Sequence, residues 1–222
     1  MKIPSMSTGS TSPSIQPTDE ELSVFEVLLG AAKLSDKPVV VRVAGGWVRD
    51  KLLGQPSLDM DVCLDTLTGE QFALLIQKYL KDVNNSGQQC SKVGVIKANP
   101  DRSKHLETAT MRIDAIDLDF VNLRTEEVYD NANNRIPSSV VFGTPEQDAY
   151  RRDFTVNSLF YNVHTCSVED WTMKGLDDLL HEKIIRTPLD PLITLKDDPL
   201  RHVYFSKCLA FPLITYRYSC TT

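Results

Sequence analysis

The chain has 222 residues, which is enough for one complete domain with an appendage but short for two domains of about 100–200 residues each. Hydrophobic residues make up 41% and charged residues 24%, so the composition excludes a disordered chain or a fibre and predicts a protein with a core. The formal net charge of -6 argues against a protein that coats nucleic acid by bulk attraction, so any nucleic-acid role needs a local site.

Hydrophobic periodicity and turn residues predict short helices and strands along the chain. Residues 1–17 are rich in Ser, Thr, Pro and Gly, so we expect a disordered leader there. Thr18 and Glu21 have the spacing of a capping box and are expected to begin the first helix. The predicted elements are, in chain order, a helix over 18–34, a strand over 39–43, a short helix over 47–53, a strand over 58–64, a helix over 68–81, strands over 93–98, 106–113 and 116–123, a helical stretch over 146–160, a short helix over 175–181 and a strand over 184–186. Their order is typical of a mixed α/β domain around one sheet.

Two aspartates in the second predicted strand are the strongest chemical feature. Asp59-Met60-Asp61 places two carboxylates on one face of a strand, about 6.6 Å apart along the chain, where their repulsion is costly without a cation. An all-oxygen ligand set favours the hard ion Mg²⁺. The alternative is that both acids are solvated on an exposed edge strand.

A glycine pair lies just upstream of these acids. Gly45 and Gly46 allow a close approach of the backbone, and the helix that follows begins with free N–H groups that suit a phosphate. Arg49, one turn into this helix, adds a cation. Glycine turns before helices are common, but next to Asp59 and Asp61 this one predicts phosphoryl or nucleotidyl transfer.

A third carboxylate is expected from the strand over 116–123. Asp117 and Asp119 share the same parity, so the pattern leaves the choice between them open, and we favour Asp119 because it lies deeper in the strand. In the predicted helical stretch, Asp153 and Asn157 share one face and suit sugar hydroxyls or a triphosphate. The alternative for this face is a salt-bridged surface in solvent.

These segments resemble the motifs of the class II tRNA nucleotidyltransferases, the CCA-adding enzymes, and are most like the fungal and plant members. Residues 42–50 together with Asp59-Met60-Asp61 resemble the family's first motif, in which two aspartates hold metal ions. Residues 151–162 are similar to the second motif, which implies that Arg152 and Asp153 recognise the ribose. Residues 107–110 also match the fungal type.

Residues 197–201, Asp-Asp-Pro-Leu-Arg, resemble the motif in which an acidic residue and an arginine act as an amino-acid template for the incoming base. The resemblance therefore implies that Asp198 and Arg201 contact the base of CTP or ATP. Beyond Arg201 the chain departs from the family, since no long basic helix follows. We expect residues 18–188 to be a nucleotidyltransferase head and 189–222 to be a truncated neck fragment with an atypical tail. We expect the chain as a whole to bind tRNA poorly.

The resemblance implies an α/β head of the type found in DNA polymerase beta, with a mixed sheet of about five strands flanked by helices. It implies template-independent transfer of nucleotides from CTP and ATP to the tRNA 3′ end with two Mg²⁺ ions. The expected catalytic residues are Asp59, Asp61 and Asp119, the metal ligands are Asp59 and Asp61, and the expected nucleotide-binding residues are Gly45, Gly46, Arg49, Arg152, Asp153, Asn157, Asp198 and Arg201. Two alternatives stay open: a head that binds nucleotide without turnover, and an RNA nucleotidyltransferase of the poly(A) polymerase type.

Cysteine spacing and hydropathy bear on the compartment. The five cysteines are widely separated, which predicts neither a disulfide framework nor a structural zinc site and fits a reducing compartment. No apolar run approaches the roughly 20 residues needed to cross a bilayer, and the first residues lack the apolar core of a secretory signal. We expect an intracellular protein without a membrane span, in the cytoplasm, with the mitochondrion and the nucleus left open. The oligomeric state is left open as well.

Overall fold

One mixed seven-stranded sheet runs through the described part of the chain. The computed structural model describes residues 13–57, 59–82, 90–96, 108–123, 142–191 and 194. The helices are α1 (Asp19–Ala32), α2 (Gly46–Leu52), α3 (Gly69–Asp82), α4 (Pro145–Tyr150) and α5 (Gly175–Asp177). The strands are β1 (Val41–Ala44), β2 (Asp59–Leu64), β3 (Gly94–Ile96), β4 (Thr108–Ile113), β5 (Ile116–Asn122), β6 (Leu159–Asn162) and β7 (Ser167–Asp170).

The strands pair in the order β3-β4-β5-β2-β1-β6-β7. Of the pairs in this sheet, β2 with β5 is parallel and the others are antiparallel. Both the mixed α/β class and the central sheet expected from the sequence are therefore confirmed. The sheet has seven strands where about five were expected.

Three helices begin with a threonine that caps the backbone. The Thr18 backbone N–H donates to Glu21 Oε2 over 2.7 Å, and the Glu21 N–H donates to the Thr18 hydroxyl over 3.3 Å. Thr68 and Gln71 exchange the same pair of bonds at the start of α3, and Thr144 does so at the start of α4. These bonds satisfy N–H groups that a helix leaves without an internal partner, which is why the predicted starts near 18 and 68 are confirmed.

The two faces of the sheet are covered very differently. The main core lies between one face and the helices α1, α2 and α3, and its largest buried side chains are Leu28, Trp47, Met60, Phe72 and Phe120. On the opposite face, next to α4, lies a small apolar cluster of Ala44, Cys63, Leu123, Ala149 and Phe160. Asp59 and Asp61 alternate onto this second face. In the described part of the chain, the acids therefore lie on the less covered side of the sheet.

The predicted helical stretch over 146–160 is wrong beyond its first turns. Helix α4 ends at Tyr150, a 3₁₀ turn follows over Thr155–Asn157, and β6 begins at Leu159. The Asp153 carboxylate accepts the backbone N–H of Phe154 over 2.8 Å, a local bond that competes with helix formation.

Three further differences concern the ends of the domain. β6 and β7 form a hairpin that was not predicted, and the predicted strand over 184–186 is irregular, although the Arg186 carbonyl accepts the Thr155 N–H over 2.9 Å. Ile15 lies in the expected disordered leader, but it is buried in the main core.

Most of the expected neck fragment, 189–222, lies outside the described residues. Within the described ranges, no helix has the length and apolar character needed to cross a bilayer.

Gly69 is expected to be required for packing α3 against the sheet. A Cβ at Gly69 would lie 2.7 Å from the Phe120 carbonyl oxygen and 3.1 Å from the Ala109 Cβ, both on the rigid sheet. We expect Gly69→Ala to lower the free energy of unfolding by about 1–3 kcal/mol. Gly46, which also begins a helix, is the matched control, because a Cβ there would meet only the Arg49 Nη2 atom at 3.7 Å.

Gly46→Ala is accordingly expected to change the free energy of unfolding by less than about 0.5 kcal/mol. Urea denaturation of both variants measures the difference. Equal stabilities for the two variants would contradict the packing of α3 on the sheet.

Candidate functional site

Four carboxylates are brought together by the parallel pairing of β2 and β5. In this register Asp59 lies opposite Asp117, and Asp61 lies opposite Asp119. Side chains opposite one another on neighbouring strands project to the same face, and the strands are about 4.8 Å apart. Asp59 and Asp61, predicted to share one face of a strand, therefore lie beside a second pair of acids on the adjacent strand.

The structure distinguishes the two acids that parity left open. Asp117 lies 3.6 Å from the Arg112 guanidinium, and both side chains are more than half exposed. The pKa of Asp119 is raised above its usual range, first by partial burial and then by repulsion from Asp61, Asp59 and Asp117. Asp119 is thus close enough to Asp59 and Asp61 to feel their charges, which supports it as the third carboxylate.

The donor chemistry of this acidic group fits Mg²⁺. No three His, Cys, Asp or Glu side chains among the described residues are grouped closely enough to hold a metal ion by themselves. Mg²⁺ keeps several of its waters and is usually bound by one or two carboxylates together with substrate phosphates. The oxygen donors of Asp59 and Asp61, with the carboxylate of Asp119 beside them, therefore suit a hard divalent cation such as Mg²⁺.

Gly45 forms the turn between β1 and α2 and lies against the acidic group. Its φ is +72°, a conformation that strains residues with a Cβ, and its N–H donates to the Leu159 carbonyl over 3.1 Å. A Cβ at this position would lie 3.1 Å from Arg152 Nη1 and 3.5 Å from Asp61 Oδ2. The glycine therefore keeps open the space between the guanidinium and the carboxylate.

Arg49 is linked by hydrogen bonds to the two polar residues predicted from the second motif. Its Nη1 donates to Asn157 Oδ1 over 2.7 Å, and the Asn157 amide donates to Asp153 Oδ1 over 3.1 Å. The Arg49 guanidinium also pairs with Asp50 at 2.8 Å. Asp153 and Asn157 do lie together as expected, but they meet across the 3₁₀ turn and not on successive turns of a helix.

Arg152 is held below the glycine turn by a buried carboxylate. Its Nε and Nη2 donate to Asp148 Oδ2 over 3.0 and 2.9 Å, Nη2 contacts the Cys63 thiol at 3.5 Å, and the guanidinium lies 4.9 Å from the centre of the Phe160 ring. Burial by itself lowers the pKa of Arg152, but Asp148, Cys63 and Asp61 outweigh it and raise the pKa. Arg152 is therefore a fixed positive charge beside Asp61.

Two carboxylates that support the site were not singled out as such from the sequence. Asp148 is four residues before Arg152, a spacing that favours an ion pair on a helix and is the one sequence signal for its role. Glu21 was expected only to cap α1, yet it also contacts α2, and no local pattern indicates that long-range contact. Asp198 and Arg201, expected to contact the base, lie outside the described residues, and so does Glu107 of the segment that matches the fungal type.

The chain matches the family described as the Poly A polymerase head domain over residues 41–186. It is 49% identical over 166 residues to the mitochondrial CCA tRNA nucleotidyltransferase of Saccharomyces cerevisiae, covering 74% of this chain and 30% of that protein. It is 47% identical over 210 residues to the tRNA nucleotidyltransferase cca1 of Schizosaccharomyces pombe, covering 93% of this chain and 40% of that protein. The chain therefore spans less than half the length of these two relatives.

The fold is also similar to that of a solved enzyme. The Thermotoga maritima CCA-adding enzyme complexed with tRNA superposes with a TM-score of 0.65 at 22% sequence identity, over 91% of this chain and 40% of that one. At this level of identity the likeness concerns the fold.

The electrostatic strain at Asp119 predicts a gain in stability when its charge is removed. We expect Asp119→Asn to raise the free energy of unfolding without metal at pH 7, by up to about 1 kcal/mol because the side chain is partly solvated. An acid whose pKa is raised on folding destabilises the fold above that pKa, and this cost disappears as the pH falls through it. The gain should therefore shrink toward about pH 4.

Asp117→Asn on the same strand is the control, since Asp117 faces Arg112 and its variant should gain nothing. Urea unfolding of both variants in EDTA at several pH values measures the effect. A loss of stability in Asp119→Asn at pH 7 would show that the acids on β2 and β5 do not repel one another as described.

Proposed function

Because the chain belongs to the poly(A) polymerase head-domain family, we propose that it transfers nucleotides from CTP and ATP to the 3′ end of tRNA and builds the CCA end without a template. The observation that carries this proposal is the acidic group on β2 and β5 facing the Gly45 turn and two immobilised arginines. The fungal relatives named above as tRNA nucleotidyltransferases support this substrate class over poly(A) synthesis.

Asp59 and Asp61 are the residues proposed to hold Mg²⁺, and Asp119 adds negative charge next to them. When bound, magnesium at such a site lowers the pKa of an attacking hydroxyl and stabilises the charge of departing pyrophosphate. The carboxylates would hold the ion on the face of the sheet opposite the main core.

The triphosphate is proposed to bind between the Gly45 turn and Arg49. Without a side chain, Gly45 allows a phosphate to approach the backbone closely. Asn157 orients the Arg49 guanidinium before the nucleotide arrives, so less conformational entropy is lost when the anion binds. Asp153 orients Asn157 in turn, and we propose that Asp153 and the exposed edge of Arg152 contact the ribose.

The choice of base and the location of the protein are proposed from the resemblance and the relatives. Asp198 and Arg201 are proposed to present hydrogen-bonding groups to the base, which a site can use to discriminate strongly between nucleotides. The mitochondrial name of the Saccharomyces cerevisiae relative supports an intracellular location that includes the mitochondrion. Affinity for the body of tRNA is proposed to be weak for this chain, because its net charge is -6.

The metal ligands are tested by removing one charge at a time. We expect Asp59→Asn and Asp61→Asn each to lower the incorporation of labelled CTP into tRNA lacking its CCA end by at least about a hundredfold in MgCl₂, because a bound metal contributes several kcal/mol to the transition state. Asp117→Asn makes the same chemical change opposite Asp59 on the neighbouring strand, and it should keep more than half of the wild-type rate because Asp117 lies beside Arg112. Gel analysis of products made with CTP and ATP together gives the readout.

Wild-type turnover in either Asp59→Asn or Asp61→Asn would overturn the metal assignment. Long tails of adenosine in place of a completed CCA end would overturn the substrate assignment and favour the poly(A) polymerase alternative. Binding of CTP without any incorporation would favour the head that binds nucleotide without turnover.

The role of Gly45 is tested against a second glycine that also has a positive φ. Gly45 and Gly54 have φ values of +72° and +70°, but a Cβ at Gly54 would meet nothing within 4 Å. Backbone strain should make alanine lower the free energy of unfolding by about 1–2 kcal/mol at Gly54 and by about 1–3 kcal/mol at Gly45, whose ψ is -128°. Only Gly45→Ala is expected to weaken CTP binding in Mg²⁺, by at least about tenfold.

Isothermal titration calorimetry with CTP, at a temperature where both variants are folded, measures the difference. Equal affinities in the Gly45→Ala and Gly54→Ala variants would show that the turn does not contact the nucleotide.

A further inference from the structure

A buried carboxylate in the first turn of α1 is bonded to α2, the helix that carries Arg49. Glu21 is 3% exposed. Its Oε2 accepts the Thr18 N–H over 2.7 Å, while its Oε1 accepts the Trp47 indole N–H over 2.9 Å and pairs with Lys51 Nζ at 2.7 Å. The Glu21 carboxylate therefore accepts a backbone N–H at the start of α1 and also binds two side-chain donors on α2.

Aromatic packing joins the same two helices to the sheet. The rings of Phe25 on α1, Trp47 on α2 and Tyr161 on β6 lie 5.6 to 5.8 Å apart, centre to centre. Helix α2 has only 7 residues, and helices shorter than about 12–15 residues are not stable by themselves. Its position is therefore set by its partners, which include the α1 side chains, the Tyr161 ring on β6 and Asn157, the residue bonded to Arg49.

Helix α1 lies outside the part of the chain that matches the family, which begins at residue 41. The contact made by Glu21 thus connects a segment beyond the matched head to the helix at the glycine turn. The Lys51 side chain is 10% exposed, so loss of the Glu21 charge leaves a nearly buried ammonium without its carboxylate. Removing one partner of a buried ion pair is costly, and Lys51 Nζ also lies 5.8 Å from the centre of the Trp47 ring, so loss of the Glu21 charge disturbs two contacts of α2.

We propose that Glu21 is a positioning residue for the nucleotide site. Through Lys51 and Trp47 it sets the rotation of α2 and so the place where Arg49 meets the triphosphate. This inference rests on the proposed function, because it assumes that Arg49 binds a nucleotide. Glu21 itself touches neither the acidic group on β2 and β5 nor the Gly45 turn in the contacts of the described residues.

The test compares Glu21→Gln with Phe25→Leu by CTP binding in Mg²⁺ and by steady-state incorporation of CTP. Glu21→Gln keeps one side-chain oxygen that can accept the Trp47 indole N–H, and its backbone N–H can still donate to the Thr18 hydroxyl. It loses the second acceptor, which takes the Thr18 N–H, and removes the charge opposite Lys51. We expect the CTP Kd and KM to rise at least about fivefold with kcat within about twofold, because a displaced Arg49 weakens binding of the substrate and its transition state alike. Phe25→Leu loosens the same helix pair while leaving the ion pair intact, so its Kd should stay within about twofold of wild type.

Lys51→Met removes the other partner of the ion pair and serves as the second variant, with the same expected rise in Kd, should Glu21→Gln fail to fold. Unchanged CTP affinity in the folded variants, or equal losses in Glu21→Gln and Phe25→Leu, would overturn the positioning role while wild-type CTP binding stands. Absence of CTP binding in the wild-type protein would overturn the proposed function itself and this inference with it.

Discussion

The carboxylates on β2 and β5 repel one another at the candidate site. Parallel pairing of β2 with β5 places Asp59, Asp61 and Asp119 on one face, and the raised pKa of Asp119 reflects partial burial and the charges of its neighbours. Folding alone does not remove this cost, since hydrophobic burial on the other face of the sheet holds the strands in register. A cation that enters the group would offset this repulsion.

Other side chains hold the two arginines of the candidate site in fixed orientations. Arg152 is held by Asp148 and stacked near the Phe160 ring, and Arg49 is held by Asn157. A chain with a net charge of -6 thereby keeps two oriented guanidinium groups at one locus. Oriented charges of both signs match a substrate that combines a polyanionic triphosphate with its divalent counterion, and their prior ordering lowers the entropy lost on binding.

Local patterns in the sequence predict the helix starts and the acidic strand, but not the contacts between distant elements. The capping pair Thr18 and Glu21 and the alternation of β2 are local, and both are confirmed. The sequence pattern cannot separate Asp117 from Asp119, because residues two apart on a strand point to the same face. The contact of Asp117 with Arg112 and the raised pKa of Asp119 distinguish them in the structure. β6 was missed because all of its residues are buried, which removes the alternation by which a strand is recognised.

The thermal stability of the wild-type chain with Mg²⁺ alone, CTP alone, and both together tests most directly whether the acidic group couples metal binding to nucleotide binding. If the carboxylates on β2 and β5 are neutralised by magnesium that arrives with a nucleotide, the two ligands stabilise the fold cooperatively, and the rise in Tm with both exceeds the sum of the separate rises. An equal rise in Tm with CTP in EDTA would contradict the account, because nucleotide binding would then be independent of the acidic group.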